Sequence, residues 1–436
     1  MSSALRGGRR LGGAAALIAA LLCLTCNYGD VTVIEPAAKG SGALTLTIQP
    51  DPEDTAVAHA VGWSAGIPGA DVTITAGGGD TAVGPPVAVL QTDAAGKVNV
   101  PDLPDGKYFV AVRRLLTPTE VARLAPAQEV VGFMTQTVVD RGSSTVAVPA
   151  SRRRSIVISE WSFFGEAIPG VGGYDYGGYL ELANNADTTV YLDGLVIGSA
   201  YSQDTEDRAP YTCAAMAIFS NDPDGIWTWQ FDTLPGTGRT YPLAPGAVSV
   251  IATDAIDHRT ASPVEGLDLS HADFESIGTQ DVDNPAVPNT ISFLYPWQFK
   301  HGLYLNGGGQ EVAFVALPVD TAVLPKAVSL YVNAAQIMRV PRANILDVMS
   351  IYFARDTIYS KEYGGGDFCP HLVNTKFERR QAPLVETHIG ADPDAGRWSV
   401  QRKVAYTRSD GRDILQNTRT SDADFHFALR KPFQLP

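Results

Sequence analysis

Short runs rich in apolar residues, some of them alternating with polar ones at a period of two, recur along most of this chain. Ser155-Ile156-Val157-Ile158-Ser159-Glu160-Trp161, Tyr179-Leu180-Glu181-Leu182-Ala183-Asn184-Asn185 and Val190-Tyr191-Leu192-Asp193-Gly194-Leu195-Val196-Ile197 are rich in Val, Ile, Leu and Tyr and are separated by Gly, Asn and Asp. Such runs predict β-strands joined by turns. Asn184-Asn185-Ala186-Asp187 predicts one of those turns, because Asn and Asp tolerate left-handed backbone and cap their own turns. The same grammar continues downstream, where runs at 214–219, 227–231, 247–252, 312–317, 327–332, 344–351 and 398–404 each predict a strand. In 227–231 the alternation places Trp227, Trp229 and Phe231 on one face. Long irregular stretches at 198–212, 254–292 and 352–396 separate these runs, and loops of that length are usually functional or disordered. No repeat of 20–50 residues is visible, so neither a propeller nor a solenoid is expected.

Residues 43–150 predict a smaller β-sandwich. Ala43-Leu44-Thr45-Leu46-Thr47-Ile48 alternates as a half-buried strand does. It is followed by turn-and-strand units at 67–74, 92–100 and 103–112, and by Thr145-Val146-Ala147-Val148. Thr117 to Leu124, after Pro118, has helical propensity and reads as a short insert. The signatures PGADVTI, TDAAGKVNV and LPDGKYFVAV, in that order and spacing, resemble the carboxypeptidase-regulatory-like (prealbumin-like) β-sandwich family. That resemblance implies a non-catalytic module that spaces or presents a neighbour. Ser151-Arg152-Arg153-Arg154 marks the domain junction and is expected to be a solvated linker, the alternative being a phosphate-binding basic patch.

A second resemblance covers nearly all of 155–430. VISEW, YLELANNADTTVYLDGLVIG, LDLSHADFE, DVDNPAVPN, ILDV, SVQRKV, DGRDILQNT and SDADF together look like a family of uncharacterised lipoproteins of gut Bacteroides-type bacteria, a domain of unknown function. Its opening (ISE, ELANN, LDGL) resembles a lamin-tail domain, an immunoglobulin-like sandwich. The resemblance implies pairing with an N-terminal prealbumin-like module behind a lipoprotein signal, a place beside outer-membrane receptors of the TonB-dependent kind, and no established catalytic residues. The expected fold is all-β: a small prealbumin-like sandwich over 42–150, then a larger, loop-rich immunoglobulin/lamin-tail-like domain over 155–436.

Composition narrows the setting. A chain of 436 residues suits two or three domains, and its 42 Gly and 29 Pro suit many turns and few long helices. A net charge of −14 disfavours nucleic acid as a partner and gives no electrostatic hold on an anionic membrane. The hold comes instead from residues 1–26, which read as a lipoprotein signal peptide: Arg6, Arg9 and Arg10, then an apolar run from Leu11 to Leu24, then Leu24-Thr25-Cys26-Asn27. This resembles a lipobox, with Cys26 as the acylated residue, although Thr25 is larger than the usual residue there and Cys23 is a rival. Asn27 implies the outer membrane, because it is not the inner-membrane-retaining aspartate. Plain secretion with Cys26 unmodified is the alternative. Residues 27–41 then form a flexible tether. Beyond it stand Cys213 and Cys369, candidates for a disulfide in an oxidising envelope, or else two buried thiols.

Candidate chemistry is sparse. Gly62-Trp63-Ser64-Ala65-Gly66 fits GxSxG, but Ile67-Pro68-Gly69 leaves no place for the helix that a nucleophile elbow needs. The seven histidines show no close metal spacing. Acidic loops are the best ligand signal. In the loop to Pro288, Asp281, Asp283 and Asn284 offer oxygens suited to calcium, against the simpler role of capping their own turn. No other cofactor is indicated. Tyr174, Tyr176, Tyr295 and Trp297 lie near Gly- and Pro-containing turns, and exposed aromatics there would form a sugar- or protein-binding platform. The expected function is a cell-surface lipoprotein that binds a ligand or protein partner without catalysis, accessory to an uptake receptor. A glycan hydrolase using loop carboxylates or calcium and a structural or adhesive envelope protein are the alternatives.

Overall fold

The computed structural model of the chain describes residues 42–77, 84–124, 130–162, 166–168, 172–174, 177–200, 219, 222–228, 230–262, 266–276, 278, 282–293, 310–328, 336–353, 386–387 and 398–435. Strand dominates throughout, so the all-β expectation holds.

The N-terminal domain is one seven-stranded sheet. Its strands are β1 (Gly42–Pro50), β2 (Asp71–Ala76), β3 (Pro86–Gln91), β4 (Lys97–Leu103), β5 (Lys107–Leu115), β6 (Val130–Asp140) and β7 (Thr145–Arg154), in the order β3-β2-β5-β6-β7-β1-β4. Alternate residues Leu44, Leu46 and Ile48 of β1 meet Val72 and Ile74 of β2 and Val110 and Val112 of β5 in one core. The sheet therefore curls over itself, as a sandwich must to bury one face of every strand. β3 and β6 were not foreseen as strands.

The polar residues of the signature motifs staple turns. Thr92 accepts from the Ala70 amide at 2.8 Å and donates to the Ile67 carbonyl at 2.7 Å. Asp93 Oδ1 accepts from the Ala95 and Lys97 amides, both at 2.8 Å. Gly96, at φ 76°, is obligatory there, since a Cβ would lie 2.6 Å from the Ile48 carbonyl oxygen. The expected helical insert forms as α2 (Pro118–Val121), after α1 (Thr55–Ala60), and is held by a Thr117/Glu120 capping box.

The C-terminal domain is a second sandwich. One six-stranded sheet has the order β18-β17-β11-β8-β25-β28, with β8 (Ile156–Ser162), β11 (Tyr179–Asn184), β17 (Val248–Ala252), β18 (Phe274–Glu275), β25 (Trp398–Arg402) and β28 (Phe425–Leu429). The other has the order β19-β15-β13-β20-β23-β24, with β13 (Val196–Ser199), β15 (Gln230–Thr233), β19 (Ile291–Phe293), β20 (Gln310–Ala316), β23 (Ile345–Phe353) and β24 (Glu386–Thr387). Ile158, Leu180 and Leu182 from the first pack against Ile197, Val315 and Met349 from the second. Four small ribbons complete the described strands: β9/β10 (Glu166–Ile168, Gly172–Tyr174), β12/β16 (Val190–Tyr191, Pro242–Leu243), β14/β22/β21 (Gly225–Thr228, Gln336–Pro341, Lys326–Val328) and β26/β27 (Val404–Thr407, Asp413–Leu415).

Two expectations change, and β8 and β11 are buried on both faces. Their outer face is roofed by the described part of 254–292, through Ala255, Leu269, Ala272 and Val287, and by Leu435 at the end of the chain. Trp227 and Phe231 do not share a face, because the chain leaves the ribbon of β14 and enters the six-stranded sheet at β15. And residues 151–154 are not a solvated linker: β7 runs through Arg154 and β8 begins at Ile156. Arg153 and Arg154 are only 2% and 3% exposed. Their apolar stems fit between the two sandwiches while the guanidinium heads find partners. Arg153 donates to the Asn185 carbonyl and bonds Tyr406, and the neighbouring Arg152 pairs Nε with Asp54 Oδ1 at 2.9 Å.

Candidate functional site

The charged residues of the downstream motifs gather in two buried clusters. In the first, β8 carries a bulge at Ser159, because Leu182 pairs with Ile158 while Glu181 pairs with Glu160. Ile158 thereby turns its peptide groups away from the ladder. Its amide donates to Asp347 Oδ2 at 2.8 Å, and its carbonyl accepts from Arg402 Nε at 2.6 Å. Arg402 also pairs with Asp347 and lies 3.5 Å from Asp424 Oδ2. Burial raises the Asp347 carboxyl to about 6, against the pull of Arg402. Asp424 in turn caps Thr418, accepting from its amide and its hydroxyl. ILDV, SVQRKV, DILQNT and SDADF thus meet at one ion cluster that ties the two sheets together.

The second cluster lies on the roofed face. Glu160 and Glu181, opposite each other on β8 and β11, are both fully buried. Glu160 Oε1 accepts from Tyr179 Oη and Ser399 Oγ, each at 2.5 Å. Glu181 Oε1 accepts from Ser159 Oγ at 2.7 Å. The end of the chain closes over both, with the Lys431 amide 3.1 Å from Glu160 and the Phe433 amide 2.8 Å from Glu181. Burial first, then the Glu160 charge, raises Glu181 to about 8. A carboxylate pair with one raised member resembles an acid/base pair, but a general acid must reach the proton it transfers, and here backbone and side chains fill the approach.

The predicted site residues are scattered. Asn284 spends its side chain on its own loop: Nδ2 donates to the Ala255 carbonyl at 2.8 Å, and Oδ1 accepts from the Ala286 amide at 3.2 Å. Asp283 Oδ1 accepts from Asn289 at 2.9 Å. Asp281 lies outside the described residues, among which no group of three or more His, Cys, Asp and Glu is placed to hold a metal. Tyr174 ends β10, paired in register with Glu166. Tyr176, Tyr295, Trp297, Cys26, Cys213 and Cys369 lie outside the described residues. In the GxSxG stretch Trp63 is buried in the core and Ser64 is exposed, in a loop that follows α1.

Among the described residues, an open cleft of about 430 Å³ lies between the two domains. Asp71, Arg113 and Arg114 line it from β2 and β5, and Tyr406, Arg408 and Ser409 from β26 and the turn beyond it. Its volume falls in the range of small-ligand sites. Arg113 stacks on the Tyr406 ring, 4.0 Å from its centroid, and reaches Asp71 at 3.3 Å. Arg408 pairs with Asp187, and its Nε lies 3.4 Å from Asp410. Burial is the largest single effect on the Asp187 carboxyl and works to raise it, yet the hydrogen bonds and charges of Arg412 and Arg408 together hold it below its ordinary value. Arg114 is fully engaged: Nε donates to the Pro68 carbonyl at 2.7 Å, and Nη2 lies 2.8 Å from Glu120. The sequence signal for this cleft is faint, because its two walls lie almost three hundred residues apart and each reads as an ordinary charged strand end.

The chain matches no protein-family model and no curated protein. Among solved structures, a DUF4876 family protein from Bacteroides thetaiotaomicron aligns with a TM-score of 0.50 at 16% identity, over 91% of this chain and 98% of that one. A DUF3823 family protein from Bacteroides uniformis aligns over 72% of this chain and 99% of that one, at 9% identity and a TM-score of 0.15. A streptococcal ancillary pilin aligns over 48% of this chain and 52% of that one, at 13% identity and a TM-score of 0.17. Only the first is close enough to carry weight, and at that identity it establishes a shared fold alone.

Proposed function

We propose that this chain is a non-catalytic ligand-binding lipoprotein of a bacterial outer membrane. In this account Cys26 carries the acyl chains, 27–41 is the tether, and the two sandwiches present a binding cleft to an uptake receptor of the TonB-dependent kind. One contrast carries the proposal: the paired carboxylates Glu160 and Glu181 are sealed inside, while the open cleft is lined by Arg, Tyr, Ser and Asp. Such a lining binds and orients, and it offers no paired acid and base. The fold shared with a DUF4876 protein of Bacteroides is compatible with this reading. Calcium at Asp281, Asp283 and Asn284, the Cys213–Cys369 disulfide, and an accessory platform of Tyr174, Tyr176, Tyr295 and Trp297 belong to the same proposal.

The test has two arms. Mass spectrometry of the protein extracted from its native membrane is expected to find an acylated N-terminus at Cys26, and an unmodified mature N-terminus overturns the anchor. A panel of glycan and ester substrates, run with and without a chelator, is expected to show no turnover. Turnover that disappears on Asp283→Ala overturns the non-catalytic assignment.

A further inference from the structure

Resting on the binding proposal above, we infer that the interdomain cleft takes a sugar acid: a compact hydroxylated ring carrying a carboxylate or a sulfate, gripped between Arg113 and Arg408. Charge is the first observation. The cleft lining presents three guanidiniums and a single carboxylate, while their other partners Glu120, Asp187 and Asp410 stand outside the lining. The cations thus face the opening and most of the balancing carboxylates do not, which favours an anion there.

Availability is the second. Arg114 is held by Glu120 and the Pro68 carbonyl, but the other two guanidiniums are held loosely. The partner of Arg113 is Asp71, 50% exposed, and the partners of Arg408 are Asp187 and Asp410, 53% and 54% exposed. Exposed pairs of this kind contribute little, so an incoming oxyanion that offers two oxygens can replace them.

Geometry is the third. Stacking on Tyr406 fixes the plane of the Arg113 guanidinium, whose edge is engaged only by the exposed Asp71 through Nη2, and an edge held in this way can receive a carboxylate or sulfate side-on once that pair gives way. Tyr406 is itself braced by its bond to the buried Arg153. Asp71 and the exposed Ser409 hydroxyl supply an acceptor and a donor for ring hydroxyls. Asp71 also disfavours a second negative charge on the ligand, which points to a singly charged sugar acid rather than a polyanion. Because Arg113 and Arg408 belong to different domains, the ligand bridges the two sandwiches.

The test is calorimetric titration of the full chain at low salt with D-glucuronate, D-glucose 6-sulfate and D-glucose, followed by the variants Arg113→Gln and Arg408→Gln. Both acidic probes are expected to bind at least about ten-fold more tightly than glucose, and each variant to weaken them about ten-fold, the scale of one charge-assisted hydrogen bond. Binding is also expected to weaken as salt is raised. Preference between the two acidic probes assigns carboxylate or sulfate as the natural group. Glucose binding as tight as glucuronate, indifference to both substitutions, or no binding of any probe by protein with an intact melting transition overturns the inference. Glucose bound in the cleft and lost on Tyr406→Ala would sink the anion assignment alone. Conversion of a probe to product would sink the non-catalytic proposal itself.

Discussion

Arg419 of the C-terminal domain donates to Glu53 of the N-terminal domain at 2.7 Å, and it does so from left-handed backbone at φ 59°. A second arginine, Arg342, pairs with the same carboxylate, and Arg419 Nη1 lies 3.7 Å from Asp54. Burial works to raise the Glu53 carboxyl, yet the two arginines together hold it below its ordinary value. Left-handed backbone at a non-glycine residue costs about 1 kcal/mol, so this clamp is sustained against strain. Glu53→Ala is expected to uncouple the domains. Calorimetry of the wild type should give a single transition, and that of the variant two.

The Arg402 cluster makes a sharper prediction. Arg402→Met leaves Asp347 buried without its cation, which is expected to cost about 3–5 kcal/mol, enough to halve or abolish the stability of an ordinary domain. Arg402→Met combined with Asp347→Leu is expected to recover much of that loss. Urea unfolding of the single and double variants checks both, and additive losses would show that the pair is not coupled.

Two buried carboxyls give stability a pH dependence of defined sign. Glu181 is raised to about 8 and Asp347 to about 6, so each binds its proton more tightly in the folded than in the unfolded chain. Their contribution is complete below about pH 4, the ordinary carboxylate range, and is lost as pH rises through 6 and then 8. The melting temperature is therefore expected to fall between pH 5 and about 8.5. Glu181→Gln is expected to flatten the upper part of that fall.

Asp193 works in the opposite direction. Its carboxylate accepts from the amides of Gly238, Thr240 and Tyr241 at 2.8–2.9 Å. Against the opposing effect of burial, these bonds draw it down to about 2. Its stabilisation is present above pH 4 and lost as pH falls towards 2. Asp193→Ala is expected to cost about 2 kcal/mol and to loosen the turn at 236–241. Gly236→Ala should be about as damaging, because at φ 121° its Cβ would sit 2.2 Å from the Asp193 carboxylate oxygen. Thermal melts of the two variants test this.

The strand pattern was legible because it depends on local alternation and on turn residues. Thr92, Asp93 and Gly96 form the tight turn that their order suggests, although it joins β3 to β4, which do not pair as a hairpin would, and Thr117 with Glu120 caps the helix that Pro118 starts. What local pattern does not record is what covers a strand. The run of residues in β11 gives no sign that a distant loop and the end of the chain roof its outer face, where Glu181 is buried. Arg153 and Arg154 misled for the same reason, since their burial depends on a second domain arriving alongside. The candidate cleft was beyond sequence reading altogether. Arg113 and Tyr406 become neighbours only when two sandwiches meet.

The parallel pairing of β1 with β7 matters for any chain held by its leading end. Six residues, Thr45 to Pro50, lie in register with Thr145 to Ala150, with β1 one strand in from the β4 edge of the sheet. A tug entering at Gly42 runs along these strands, so the hydrogen bonds of the ladder share the load in shear instead of opening one after another. Since β7 passes into β8 across Ser155 alone, the same tug reaches the second sandwich without a slack segment to absorb it. The molecule is thus wired as a mechanical link, stiff from its first strand to the sheet that holds Arg402.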